Sequence, residues 1–311
     1  MWDTDVHAAA APPVYYDGTV IIASADKHLR AFYGETGDKL WDVRFKAPLT
    51  FAPAAADGLV YVTVLHPENK LFCLDAVTGK RLWSAGLNDH ATAPAAVTEG
   101  VVVGAGDFVI LFDSDGMLIE KVKTDSTVDA VYGVPGGILL IYVTGEVAVY
   151  GSDLGSVVTK GDIGLGRAYP LPSEDGVLFT GYNGEAVMAA GNFDVVWTVR
   201  LPGRVMSPAV RWNGGYLVGY MGGGVIRLSA EGGIEWSVSL DANVRREPVV
   251  TSDGAFVLTE TGIIYAIDGD GSIAEFARLD FKSTCGLLYY EGKLLAIDDE
   301  GKVSVYTLDG D

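Results

Sequence analysis

One phrase, written twice near the start of the chain, constrains the fold more than any other feature. Residues 71–83 read LFCLDAVTGKRLW and residues 29–41 read LRAFYGETGDKLW. In each, an apolar strand enters a turn whose glycine, Gly37 or Gly79, must take a positive φ, and a second strand then reaches a tryptophan. A single copy describes a hairpin. Two copies, with weaker echoes further on, describe a repeat protein.

The echoes are regular. A Pro or small residue precedes an acid-Gly or Gly-rich turn at Asp17-Gly18, Asp57-Gly58, Glu99-Gly100, Pro135-Gly136, Asp175-Gly176, Asn213-Gly214, Asp253-Gly254 and Glu291-Gly292, at a spacing of roughly 40 residues. A two-residue loop of this kind between apolar runs predicts a hairpin. Each unit has a second turn, such as Gly181–Gly184 or Thr259–Gly262, then an apolar strand, a third turn and a closing strand. Four antiparallel strands in about 40 residues make a propeller blade, and the chain has room for eight. No end unit reads as the cap a solenoid needs.

The eighth unit stops after its third turn, at Asp309-Gly310-Asp311, while Trp2-Asp3-Thr4-Asp5-Val6 matches Trp41-Asp42-Val43-Arg44. The first strand is therefore predicted to complete the last blade and remove an open sheet edge. The expectation is one all-β domain, residues 1–311, folded as an eight-bladed β-propeller. Trp2, Trp41, Trp83, Trp197 and Trp236 fall at the fourth-strand position and are expected to wedge between blades. Glu120, Thr159 and Glu275 stand where other units carry that tryptophan.

The stretches Cys73–Trp83 and Ala31–Trp41 resemble the repeat of the PQQ-like, quinoprotein alcohol dehydrogenase-like β-propellers, and the likeness runs over essentially the whole chain. Within that family the compact chain is most similar to the propeller lipoproteins of the bacterial outer-membrane β-barrel assembly machinery. The resemblance implies extracytoplasmic placement if an export signal has been removed, and cytoplasmic placement otherwise. It also raises the enzyme reading, because quinoproteins of this fold hold a quinone and Ca²⁺ over the channel beside a pair of adjacent cysteines. Cys73 and Cys285 are far apart in sequence, and no insertion is long enough to roof a cofactor. No catalytic residue, no cofactor and no metal site is therefore expected.

A formal charge of −19 argues against nucleic acid and anionic membrane as partners. No apolar run reaches the length of a transmembrane helix. In an up-and-down blade, second turns and the links to the next blade share one face. All four histidines, His7, His28, His66 and His90, fall on such segments, without metal-ligand spacing. Arg167, Arg204, Arg245, Arg246 and Lys282 fall on links in the second half of an otherwise acidic chain. Either they pair with acids of neighbouring blades, or they form a rim for an anionic partner. The leading expectation is a monomeric scaffold that binds a protein on the link and second-turn face. The alternatives are a small-ligand or metal-sensing propeller and a degenerate quinoprotein dehydrogenase.

Overall fold

The computed structural model describes residues 2–8, 11–87, 91–173, 176–252 and 254–308. All regular structure in them is β-strand, arranged in eight four-stranded antiparallel sheets, and the fold is an eight-bladed β-propeller. The chain makes two compact units, one of residues 4–161 and one of residues 162–311 with 1–3. Blades 1 to 4 span residues 14–44, 54–86, 95–123 and 128–162; blades 5 to 8 span 168–200, 210–239, 249–278 and 287–307. Seven sheets follow chain order. In the eighth, Asp3–Asp5 lies outside Lys302–Thr307 as the fourth strand, and Val305 N donates to Trp2 O at 3.2 Å.

The two middle strands of each blade are packed on both faces, which is why they read as unbroken apolar runs such as Gly137–Tyr142 and Gly176–Gly181, buried throughout. Outer strands are covered on one face and alternate, as in Arg81–Gly86 and Val195–Arg200. Four of the predicted loops adopt a turn of two left-handed residues; in blade 3 the loop instead falls one residue earlier, on Thr98-Glu99, because Gly100 (φ 142°) already opens the next strand opposite Val97. Asp17 (φ 44°) and Gly18 (77°) are both left-handed, as are Asp57-Gly58, Asn213-Gly214 and Glu291-Gly292. Two left-handed residues match the twist of a hairpin, and Asp and Asn tolerate the first position while Gly suits the second. The turns predicted at Asp175, Asp253 and Asp309-Gly310 involve residues outside the described ones.

The third turns carry the contact between blades. Trp41 Nε1 donates to Ala76 O at 2.9 Å, Trp83 to Ser114 O at 2.8 Å, Trp197 to Ala230 O at 3.1 Å and Trp236 to Gly269 O at 3.3 Å. Each acceptor lies in the third turn of the following blade. A Cβ added to Gly79, Gly116 or Gly232 would stand 2.6 Å from the facing indole, and one on Gly271 would stand 3.0 Å away. These glycines are left-handed as well (φ 68–87°). The turn glycine thus meets two demands, a backbone that L residues avoid and a surface flat enough to receive an indole.

Where blade 3 lacks the tryptophan, the large side chain changes sides. Blade 3 has Glu120 in that place, and the left-handed position of blade 4's third turn is Leu154 (φ 61°) instead of Gly. Leu154 N bonds Gly151 O at 2.9 Å, as Gly116 N bonds Asp113 O at 3.1 Å, so the turn is conserved in shape. Leu154 is buried in a cluster with Leu111, Val122 and Tyr150. Blade 4 carries Thr159, and the equivalent turn position in blade 5 is Phe193 (φ 66°), buried and 6.2 Å from the ring of Phe179. Blade 7 uses another device. In blade 6 the outer strand bulges after the Arg227–Trp236 pair; in blade 7 the shift comes earlier, between Ile264 and Tyr265. Glu275 then pairs with Tyr265, and Phe276 turns between Phe256 (5.0 Å) and Tyr306 (5.6 Å).

If large and small residues are complementary across a junction, Leu154→Gly should cost about 2–5 kcal/mol, the range for emptying a buried leucine site. Adding Glu120→Trp to that variant should recover most of the loss. Denaturant unfolding of the single and double variants measures both. A double variant no more stable than Leu154→Gly would show that the two positions do not share one space.

Candidate interaction surface

Links and second turns are tied together by the main chain. In the second unit a link carbonyl accepts a hydrogen bond from the second turn of the next blade, four times over. Arg167 O takes Tyr182 N (3.0 Å), Arg204 O takes Met221 N (2.7 Å), Asn243 O takes Glu260 N (2.9 Å) and Lys282 O takes Asp299 N (2.7 Å). Thr127 O and Val143 N do the same in the first unit at 3.0 Å. Three of the five basic residues singled out from sequence, Arg167, Arg204 and Lys282, therefore share one register position. Arg245 and Arg246 sit two and three residues beyond its fourth member, Asn243.

Their side chains differ in freedom. Arg204 is exposed, lies over the ring of Tyr182 at 5.0 Å and donates to its hydroxyl at 3.1 Å. A guanidinium held flat on an aromatic face keeps its charge and most of its donors outward. Lys282 is exposed too. Arg167 is exposed and has an interaction partner. Arg245 is committed: it is ion-paired with Glu260, and its Nη1 lies 3.7 Å from Met206 Sδ. Burial pushes the Glu260 carboxyl up, but hydrogen bonds from Asn243 and Arg245 and the charges of Arg245 and Lys282 outweigh it and hold the group below the usual carboxylate range. Arg246 Nε donates to Thr284 O at 2.9 Å. Tyr182, Asn243 and Glu260 thus belong to this surface. The sequence offered no signal for them beyond their place in second turns and links.

The histidine arc resolves differently. His28 Nδ1 lies 2.5 Å from Asp42 Oδ1, and buried Arg30 grips Asp26 through two bonds of 3.1 and 2.5 Å. Arg30 also donates to Val6 O at 2.8 Å and to Asp42 at 3.3 Å. The carboxylates near His28 are therefore engaged by an arginine. Burial raises the Asp42 carboxyl, and the bond from His28 with the Arg30 charge more than offsets this, leaving it low. His7 and His66 are exposed, and His90 lies outside the described residues. Among the described residues no group of three or more His, Cys, Asp or Glu is placed to hold a metal ion. Cys73 and Cys285 are buried free thiols, each pushed up to about 12 by burial, which keeps them protonated and weakly nucleophilic at neutral pH.

A family profile described as "Outer membrane protein assembly factor BamB" matches residues 1–133 and 194–274, more than half of the chain. A curated relative, the outer membrane protein assembly factor BamB of Bordetella pertussis, is 34% identical over 79 residues, which is 24% of this chain. That match spans 20% of the relative's own length. Among solved structures, BamB from Moraxella catarrhalis superposes with a TM-score of 0.83 at 15% identity, covering 99% of both chains. The computationally designed Ika8 protein gives 0.85 at 17% identity, over 98% of both chains. Saccharomyces cerevisiae Sqt1 gives 0.80 at 11% identity, over 99% of this chain and 98% of its own. At such identities these structural likenesses speak for the fold.

The Arg245–Glu260 pair has a pH signature. Because the folded carboxyl is depressed, its stabilisation is complete above the unfolded value of about 4.3 and fades as pH falls through the folded value. Glu260→Gln should therefore melt below the parent at pH 7, with the gap closing below about pH 4. Thermal melts of both proteins across pH 3–7 test this, and a gap that stays constant with pH would exclude the ion pair as its source.

Proposed function

Because the chain belongs to the family of the outer membrane protein assembly factor BamB, we propose that it is a non-catalytic scaffold that binds a protein partner in bacterial envelope assembly. Family membership over more than half of the sequence carries this reading. The eight blades act as one domain, and the protein works as a monomer on the periplasmic side of the outer membrane. Two chemical features support the reading against an enzyme. The thiols are buried and protonated, and the carboxylates beside His28 are taken up by Arg30. The alternative of a small-ligand propeller finds no comparable support.

The docking surface in this proposal is the link and second-turn face of the second unit, with Arg167, Arg204, Arg245, Arg246 and Lys282 supplying positive charge. Arg204 and Lys282 do most to meet the partner, since both are exposed, whereas Arg245 mainly orders Glu260. The expected partner surface carries carboxylates able to pair with a stacked guanidinium. Arg204 is also the informative position for charge reversal, and Lys282 is better neutralised, because its charge acts on Glu260 as well. Reversing Arg245 would set a glutamate against Glu260 and confuse folding with binding.

Arg204→Glu with Lys282→Gln should lower affinity for a protein partner captured from envelope extracts with the parent chain at least tenfold and flatten its salt dependence, with the melting temperature unchanged. Titration calorimetry at two ionic strengths, alongside melts of the free variant, separates binding from folding. Unchanged affinity in the double variant would remove this face from the proposal.

A further inference from the structure

Blade 6 fills a space that blade 2 leaves open. In blade 6, Arg227 pairs across the sheet with Trp236 and is buried beside the first turn. Its guanidinium lies 5.7 Å from the ring of Trp212, donates to Asn213 O at 2.8 Å and stands 3.4 Å from Glu235. It also takes the room that a Cβ on Gly215 would need. In blade 2 the residue paired with the tryptophan is Cys73, opposite Trp83. The same register makes Ala56, Asp57, Leu59 and Leu82 the equivalents of Trp212, Asn213, Gly215 and Glu235. These four line a groove of about 390 Å³ between blades 2 and 3 of the first unit, on the face of the first and third turns. Its opposite wall is blade 3, with Glu99 from the first loop and Asp115 from the third turn. No Lys or Arg lines the groove among the described residues. Glu99 Oε2 is shut off from water and has no hydrogen-bond partner. Tyr61 lines the groove too, is only 2% exposed, and its hydroxyl has no partner among the described residues. Burial first, then Cys73, Asp57 and Asp113, push that hydroxyl above its ordinary range, so it stays protonated. At its position blades 1, 5 and 6 carry Ile21, Leu178 and Leu217, which have no polar atom to satisfy.

We propose that this groove binds an arginine side chain of a protein partner, in a contact that does not rest on the link-face reading. Blade 6 defines the occupant, because a guanidinium of the chain itself already holds the corresponding space there. The groove offers that group more acceptors than blade 6 does: the carboxylates of Asp57, Glu99 and Asp115 and the Tyr61 hydroxyl. A planar fork of five N–H donors can serve several of these at once, which a compact ammonium cannot match. A desolvated carboxylate oxygen without a donor costs free energy, so Glu99 has the most to gain from an arriving N–H. Leu59 and Leu82, in place of Gly215 and Glu235, give the methylene stem an apolar surface to lie on. Three acids and no cation favour a basic segment and repel an acidic one, the reverse of the link face of the second unit. An arginine anchored in a pocket is a common form of interface hot spot.

The test uses the full chain and three N-acetylated tripeptide amides, Gly-Arg-Gly, Gly-citrulline-Gly and Gly-Lys-Gly. The arginine peptide should give saturable shifts of the backbone NMR signals of Tyr61 and Glu99. It should bind about tenfold more tightly than the citrulline peptide, which keeps the planar shape and loses the charge, and more tightly than the lysine peptide. Glu99→Gln should weaken the arginine peptide about fivefold, and Tyr61→Phe, which removes only the hydroxyl, about threefold. The melting temperature of Glu99→Gln should be no lower than the parent's, since the carboxylate has no partner to lose. Citrulline or lysine bound as tightly as arginine would overturn the proposal, and so would shifts that never saturate or that spare Tyr61 and Glu99. Undiminished binding in either folded variant would overturn it as well. A lower melting temperature in Glu99→Gln would do the same, by showing that the carboxylate is already paired within the protein. The peptide arm needs only the parent protein, so it decides even if a variant does not fold.

Discussion

Four junctions between blades depend on one contact, an indole laid flat on a turn glycine of the following blade. Each such contact combines a large apolar burial with a hydrogen bond to a carbonyl that the turn would otherwise leave to solvent. Removing a buried tryptophan typically costs about 3–5 kcal/mol, a sizeable share of the 5–15 kcal/mol that holds an ordinary domain together. The same contact explains why the third turn is the best-preserved phrase in the sequence. The indole fixes the glycine, the glycine fixes the turn, and the turn fixes the start of the outer strand that supplies the next indole.

Most of the architecture was legible because its signals are local. A two-residue loop of left-handed residues suits Asp-Gly and Asn-Gly, so Asp17-Gly18 and Asn213-Gly214 announce themselves, whereas Glu99-Gly100 misleads by one residue. Period and strand number follow from counting such turns. What could not be read was anything decided across a junction. Glu120, Thr159 and Glu275 look like three equal losses of a tryptophan. The structure meets the first with Leu154, places Phe193 in the turn after the second, and shifts a bulge at the third to bring Phe276 inward. A bulge leaves no mark in composition, and a leucine in a left-handed turn reads as an ordinary surface residue until its partner is known.

The interaction surface was legible to a lesser degree. The link positions of Arg167, Arg204 and Lys282 were visible from repeat counting alone. That Arg245 is held by Glu260 while Arg204 lies on Tyr182 depends on which side chains the second turns bring alongside, and those turns vary in sequence from blade to blade. Long-range pairing of this sort is set by geometry that a linear pattern does not encode. The His28 cluster shows the same limit: its carboxylates are consumed by an arginine two residues further along the strand.

The main-chain ties between links and second turns have a consequence for how such a surface changes over time. At Tyr182, Met221, Glu260 and Asp299 the donor is a backbone N–H, and at Arg167, Arg204, Asn243 and Lys282 the acceptor is a backbone carbonyl. Every residue type has the carbonyl, and every type except proline has the N–H. An aromatic, a thioether and two acids already occupy the four donor positions without altering the tie. Shape and chemistry are therefore inherited separately here. Mutation can repaint the face residue by residue while its relief stays constant, and proline alone is barred from the donor positions.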